Sequence, residues 1–300
     1  MGASERALLR RPNGPEPGVV TRVTARDAGW ESLGFEVRRL GPGERWEHRT
    51  GDDEAVLVVL GGRCAVQADH GEWPSLGRRP DVFSGMPWAL YLSRRTGFAL
   101  TALGAGVEVA HGWAPTDEDH PARLVAPGEV EVELRGGGHA SRQINRIVPP
   151  GFGCHRLVCV EVYTPGGNWS SYPPHKHDEH RLGPGGVLLE ADLDEIYYYK
   201  IDRPGGFALQ RVYTSDGRLD VTVAARSDDV VLVPEGHHPV AAPVGYTCYY
   251  LNVLAGSAQS LAATDDPAHA WVKASHAWGA LDPRVPVVSL DMEPNEGERA

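Results

Sequence analysis

No apolar run in this 300-residue chain approaches the roughly 20 residues that a membrane-spanning helix needs. The opening Met1-Gly2-Ala3-Ser4-Glu5-Arg6 lacks the apolar core of a secretory signal. Lysine and arginine form no cluster and the formal charge is −11, so neither nucleic acid nor a membrane is an expected partner. The four cysteines, Cys64, Cys154, Cys159 and Cys248, form no Cys-x-x-Cys pair and are too sparse for a disulfide scaffold. They read as small core residues in a reducing cytoplasm. No Gly-x-Gly-x-x-Gly or P-loop follows a strand, so no nucleotide cofactor is expected.

Glycine and proline are plentiful, 36 and 24 residues spread along the whole chain. That density favours strands joined by turns over long helices. Runs such as Ala55–Leu60 (closing on Gly61-Gly62), Arg63–Ala68, Phe98–Ala102 and Val107–Ala110 are β-branched or alternating. A second series covers 157–163, 195–199, 207–213, 221–223, 230–233 and 249–253. The fold class is all-β.

The two series form a weak repeat. Asp81-Val82-Phe83-Ser84-Gly85-Met86-Pro87 parallels Asp229-Val230-Val231-Leu232-Val233-Pro234, each an apolar strand ending at a proline turn. Two packed β-barrels or sandwiches follow, over residues 1–145 and 146–260. The join is placed between Gly136-Gly137-Gly138-His139 and Val148-Pro149-Pro150-Gly151. In the extension 261–300, Ser260-Leu261-Ala262-Ala263 starts a short helix and 291–298 reads as poorly ordered.

The chemistry concentrates in Asn168-Trp169-Ser170-Ser171-Tyr172-Pro173-Pro174-His175-Lys176-His177. Two prolines preclude a helix, and in extended chain His175 and His177 leave the same face while Lys176 points away. Downstream, Glu195 shares a strand face with Tyr197 and Tyr199, where a carboxylate among aromatics requires neutralisation. Pro234-Glu235-Gly236-His237-His238-Pro239 brings further imidazole to a strand end, and Tyr250 and Asn252 share a face on the next strand. Three histidines and a carboxylate suit Zn²⁺, Mn²⁺ or Fe²⁺ and can leave coordination positions open.

These motifs resemble the cupin superfamily, small β-barrels with a 3-His-1-Glu metal site. The family pattern of His-x-His, a Glu, then Pro-x-Gly-x-x-His and a later Asn is approached by His175, His177, Pro234 to His238 and Asn252. Arg181 and Leu182 occupy the usual glutamate positions, so Glu195 requires an inserted loop over Asp178–Asp192. More narrowly, 161–178, 195–199, 206–214, 231–240 and 245–253 resemble the 5-deoxy-glucuronate isomerases of myo-inositol catabolism. That resemblance implies a bicupin. It favours His238 over His237 as ligand, a Tyr being commoner at the latter position, and Glu195 over Asp194 or Glu190. The first barrel offers only Glu47-His48 and Glu54, with no histidine after Asp81–Tyr91, and is expected to be metal-free.

The resemblance further implies an aldose–ketose isomerisation of 5-deoxy-D-glucuronate to 2-deoxy-5-keto-D-gluconate through a metal-stabilised ene-diolate. The proton carrier stays open among Glu161, Asp178, Tyr197 and His237. Arg142 and Arg211 are candidates for the substrate carboxylate, with Gln210, Trp169 and Tyr172 as further pocket residues. The same ligand set would serve an Fe²⁺ dioxygenase or a non-catalytic bicupin, and the longer motif match favours the isomerase. Edge strands make a homo-oligomer an expectation.

Overall fold

Two long strands set the architecture. In the computed structural model, which describes residues 7–276 and 278–292, Asp53–Ala68 and Gly97–Pro115 continue where the sequence suggests shorter runs. Gly61-Gly62 is a bulge rather than a turn. Gly62 has φ +83°, and a Cβ there would meet the Gly106 carbonyl oxygen at 2.1 Å. The pairing register shifts at this point, so the strand bends without leaving its partner.

The first sheet runs Val19–Val23, Gly34–Leu40, Gly97–Pro115, Asp53–Ala68, Trp88–Leu92, Arg123–Val125, with Arg45–Arg49 and Gly71–Leu76 on the long strands. The second runs Leu9–Arg10, Val230–Val233, Leu188–Ile201, Cys248–Gly256, Val158–Thr164, Arg142–Val148, Glu131–Arg135. A four-stranded sheet of Trp169–Ser170, Val240–Ala241, Ala208–Tyr213 and Asp220–Ala225 shares a core with it and completes the second barrel. The fold is an all-β bicupin. No helix among the described residues is long and apolar enough to cross a membrane.

The two halves interleave more than the sequence suggests. Glu131–Arg135 already pairs with Arg142–Val148, so the chain changes sheets between Val125 and Glu131, ahead of the join expected near 145. Leu9–Arg10 crosses over to pair with Val230–Val231. No helix starts at Ser260. Thr264–Asp265 instead pairs with His175–Lys176, and the first helical turn beyond is Ala270–Ala274. Of the tail expected to be poorly ordered, Asp291 and Met292 lie in a 3₁₀ turn, and 293–298 fall outside the described residues.

Strand order is alike in the two sheets, and the registers set out rows of residues across each. Val158, Leu254, Glu195 and Val233 form one row across the second sheet, and Gly34, Trp113, Ala55 and Leu92 form its counterpart. The next row pairs Val160, Asn252, Tyr197 and Val231 with Glu36, His111, Leu57 and Leu90. Glu54, in the first barrel, accepts the backbone N–H groups of His155, Arg156 and Leu157 at 2.9, 2.6 and 2.8 Å.

The largest core lies between the two sheets, where Phe35, Val56, Val58, Tyr91 and Ala110 meet Ile196, Tyr198, Leu251 and Val253. A Cβ on Gly112 would come within 2.8 Å of Val253, so the close approach requires glycine there. Across this apolar seam Arg79 pairs bidentately with Glu161, at 3.1 and 3.0 Å, their side chains 1% and 0% exposed. Asn145 and Tyr249 also donate to Glu161, and Arg79 donates to the Val59 and Gly85 carbonyls. Deleting one partner strands the other charge in the core. Arg79→Met is expected to lower unfolding free energy by about 3–5 kcal/mol in urea denaturation; a loss below about 1 kcal/mol would show the pair to be dispensable.

Candidate metal centre

The insertion between His177 and Glu195 is a β-hairpin. Asp178–Leu182 pairs back onto the start of Leu188–Ile201 around the turn Pro184–Gly186. It returns the chain so that Glu195, 18 residues beyond His177, sets its Oε2 2.9 Å from His177 Nε2. The strand Val230–Val233 then ends in a loop that brings His238 Nε2 to 3.2 Å from the same oxygen. His177, Glu195 and His238 each offer one ligand atom within 4.8 Å of the others, and all three are buried. His175 joins them with its ring 4.8 Å from that of His238 and 6.4 Å from that of His177.

Backbone carbonyls fix the tautomers. His177 Nδ1 donates to the Leu193 carbonyl at 3.1 Å, and His238 Nδ1 to the Gly236 carbonyl at 2.8 Å. A carbonyl only accepts, so each Nδ1 keeps its proton and each Nε2, beside the Glu195 carboxylate, is the nitrogen left for a metal. The His238 Nε2, though 3.2 Å from Glu195 Oε2, makes no hydrogen bond among the described residues. Converging acceptors repel unless a cation stands among them, so the donor set fits a divalent metal. Burial pushes the Glu195 carboxyl up, yet His177 and His238 hold it down to about 2. For His177, burial acts downward and Glu195 outweighs it, raising the imidazole above its usual range. Burial, then His238 and His177, push His175 well below the ordinary imidazole value, keeping it neutral and ligand-competent.

A cavity of about 350 Å³ opens over this centre. Tyr172, Tyr197, Tyr250, Asn252 and Arg142 line it together with His175, His177 and Glu195. Arg142 is 5% exposed, and its Nη1 donates to the Ala140 and Tyr172 carbonyls. The Gly136–Ala140 turn holds it there: Gly136 has φ +94°, and a Cβ would strike the Ala140 carbonyl oxygen at 2.0 Å. No carboxylate among the described residues pairs with Arg142, and burial lowers its pKa to about 10. It remains a buried cation facing a cavity.

Other residues singled out from the sequence lie elsewhere. Arg211 points out of the barrel and is paired bidentately with Asp220 at 2.7 and 2.8 Å, because its strand neighbour Gln210 takes the inward face. Gln210 is buried and accepts from Tyr199, away from the cavity lining. Trp169 is 43% exposed, its ring 5.5 Å from that of Tyr172. His237 stacks on Tyr213 at 5.1 Å behind His238. Glu161 is committed to Arg79, and Asp178 to Lys176 and the Gly236 N–H. Of the four candidate proton carriers only Tyr197 reaches the cavity. Sequence reasoning missed Asp265 and Lys273, which line it from the C-terminal extension. No motif marks them; only the strand pairing with His175 reveals them.

Two barrels, the second with a His/Glu group that could hold a metal ion, define the class, a bicupin. The chain belongs to the KduI/IolB family, whose model matches residues 8–272. It is 45% identical over 261 residues to a 5-deoxy-glucuronate isomerase of Geobacillus thermodenitrificans, covering 87% of this chain and 93% of that one. Among solved structures it resembles an IolB-like protein of Salmonella typhimurium, with TM-score 0.83 and 38% identity over 89% of this chain and 99% of that one. It also shares its fold with an oxalate decarboxylase of Lactobacillus farciminis, with TM-score 0.63 and 12% identity over 89% and 90%.

Replacing His177 with alanine removes a donor and the geometry it fixes. Elemental analysis of the purified variant is expected to find the bound divalent metal lost, while near-stoichiometric metal would place the site elsewhere.

Proposed function

We propose that the protein is a 5-deoxy-glucuronate isomerase, converting 5-deoxy-D-glucuronate to 2-deoxy-5-keto-D-gluconate in the cytoplasm as a step of inositol catabolism. Relatives named for this activity support the reading. The observation that carries it is the placing of a buried Arg142, which no carboxylate among the described residues pairs, across one cavity from the His175, His177, Glu195 and His238 centre. A sugar acid carries both groups such a site would recognise, a carboxylate at one end and carbonyl and hydroxyl oxygens at the other. A Zn²⁺, Mn²⁺ or Fe²⁺ ion on the four ligands would supply Lewis-acid stabilisation of the oxygen that gains charge.

The chain's own residues do the rest. Arg142 receives the carboxylate through the guanidinium nitrogens that its two carbonyl contacts leave free. Tyr172 walls the sugar and Asn252 borders the reacting end. Tyr197 is held by Ser171, 3.0 Å away, and burial followed by the Glu195 charge pushes its ionisation well above the ordinary phenol value. It therefore acts as a neutral hydrogen-bonding group rather than a base.

Incubating the metal-loaded protein with 5-deoxy-glucuronate in D₂O tests the reaction. Ketose product carrying solvent deuterium is expected, and absence of conversion would overturn the assignment. Arg142→Met is expected to raise KM roughly 10- to 100-fold, the worth of a charged hydrogen bond, with kcat changed far less. An unchanged KM would remove Arg142 from this role.

A further inference from the structure

The isomerisation needs a proton carrier, and the metal ligands are already occupied. The two-stranded ribbon beside the centre supplies one. In its register Lys176 faces Thr264, and His175 faces Asp265. Lys176 donates to Glu190 at 2.7 Å, and Thr264 donates to the same carboxylate, so that face of the ribbon turns from the cavity. Directly opposed residues share a face, with Cβ atoms about 4.5–5.5 Å apart. Asp265 therefore projects with His175 into the cavity, and both line it. Besides Glu195 it is the only carboxylate in that lining among the described residues. Lys273 donates to its Oδ2, while Oδ1 accepts no hydrogen bond among the described residues.

We propose that Asp265 is the catalytic residue that carries the proton between the two reacting carbons, with Lys273 as its positioning residue. The proposal rests on the isomerase reading. Asp265 takes the proton from the hydroxyl-bearing carbon beside the aldehyde. The C–H electron pair becomes a C=C bond, and the aldehyde π pair moves onto its oxygen. The hydroxyl proton passes to that oxygen, leaving an ene-diolate charged at the neighbouring carbon's oxygen. Asp265 then returns its proton to the former aldehyde carbon. The C=C pair forms the new C–H bond, the charged oxygen closes the ketone, and the carboxylate is regenerated. No oxidant or reductant takes part.

The other ionisable groups in the lining are poorly suited. Tyr250 is pushed up to about 12 by burial, and Arg135 and Arg146 both donate to Glu133. A carboxylate held by one ammonium with its second oxygen free matches the task.

The test uses the metal-loaded full chain with Asp265→Asn, Asp265→Ala and Lys273→Met. Turnover, metal content, calorimetric substrate binding and exchange of the substrate's carbon-bound proton in D₂O are read together. Asp265→Asn is expected to keep its metal and bind substrate within about threefold, while kcat falls roughly 10²–10⁴-fold and exchange stops. Formate should restore part of the turnover of Asp265→Ala, which a pin between two segments could not explain. Lys273→Met should lose less than either. Asp265→Asn turnover within tenfold of the unsubstituted protein would overturn the proposal. So would equal losses in the Asn and Lys273 variants without formate rescue, for the pair would then only fasten the C-terminal segment. Failure of the unsubstituted protein to convert 5-deoxy-glucuronate would defeat the isomerase reading itself; loss confined to the variants bears on Asp265 alone.

Discussion

Everything in the second barrel depends on three adjacent strands being buried on both faces. In Leu188–Ile201, Glu195, Tyr197 and Tyr199 point into the barrel, while Ile196 and Tyr198 enter the seam between the halves. In Val158–Thr164, Val160 and Val162 border the cavity, while Glu161 and Tyr163 meet Arg79. Tyr250 and Asn252 alternate with Tyr249, Leu251 and Val253 in the same way. A slip of one residue would put Glu195 into the apolar seam and Glu161 among the imidazoles. The ion pair at Arg79 and the acceptor cluster at Glu195 thus hold one register from opposite sides, each charge tolerable only on its own face.

The centre is made of groups that would not choose one another's company. Two imidazole nitrogens and a carboxylate are aimed together by carbonyls of Leu193 and Gly236 that belong to the scaffold. Such preorganisation is costly in the empty protein, and it orients ligands before any ion arrives. Arg142 is a second such group, a cation desolvated with carbonyls alone for company. Both features exchange folding stability for readiness to bind.

The all-β class and the ligand motif were legible because their signals are local. Period-two alternation assigns faces without knowledge of the partner strand, and His175-x-His177 carries its geometry within three residues. Glu195 was legible from its place among aromatics, but with a hairpin between it and the histidines only the resemblance favoured it over Asp194 and Glu190. What escaped depends on distant pairing. The bulge at Gly62 reads as a turn until Gly106 is seen against it. Arg211 and Gln210 are equivalent in sequence, and only the barrel's inner face separates them. Asp265 lies in a segment without pattern, and its place is set entirely by its strand partner.

The crossing of Leu9–Arg10 into the second sheet bears on how the chain is made. These residues emerge from the ribosome some two hundred residues ahead of their partners Val230–Val231. The first barrel, whose strands all lie within 19–125, can close early. Leu9–Arg10 must wait for that partner, and the edge of Val230–Val233 stays open until they dock. A pairing that ties one end of the described fold to the second barrel can thus form only after the first barrel's strands are all in place.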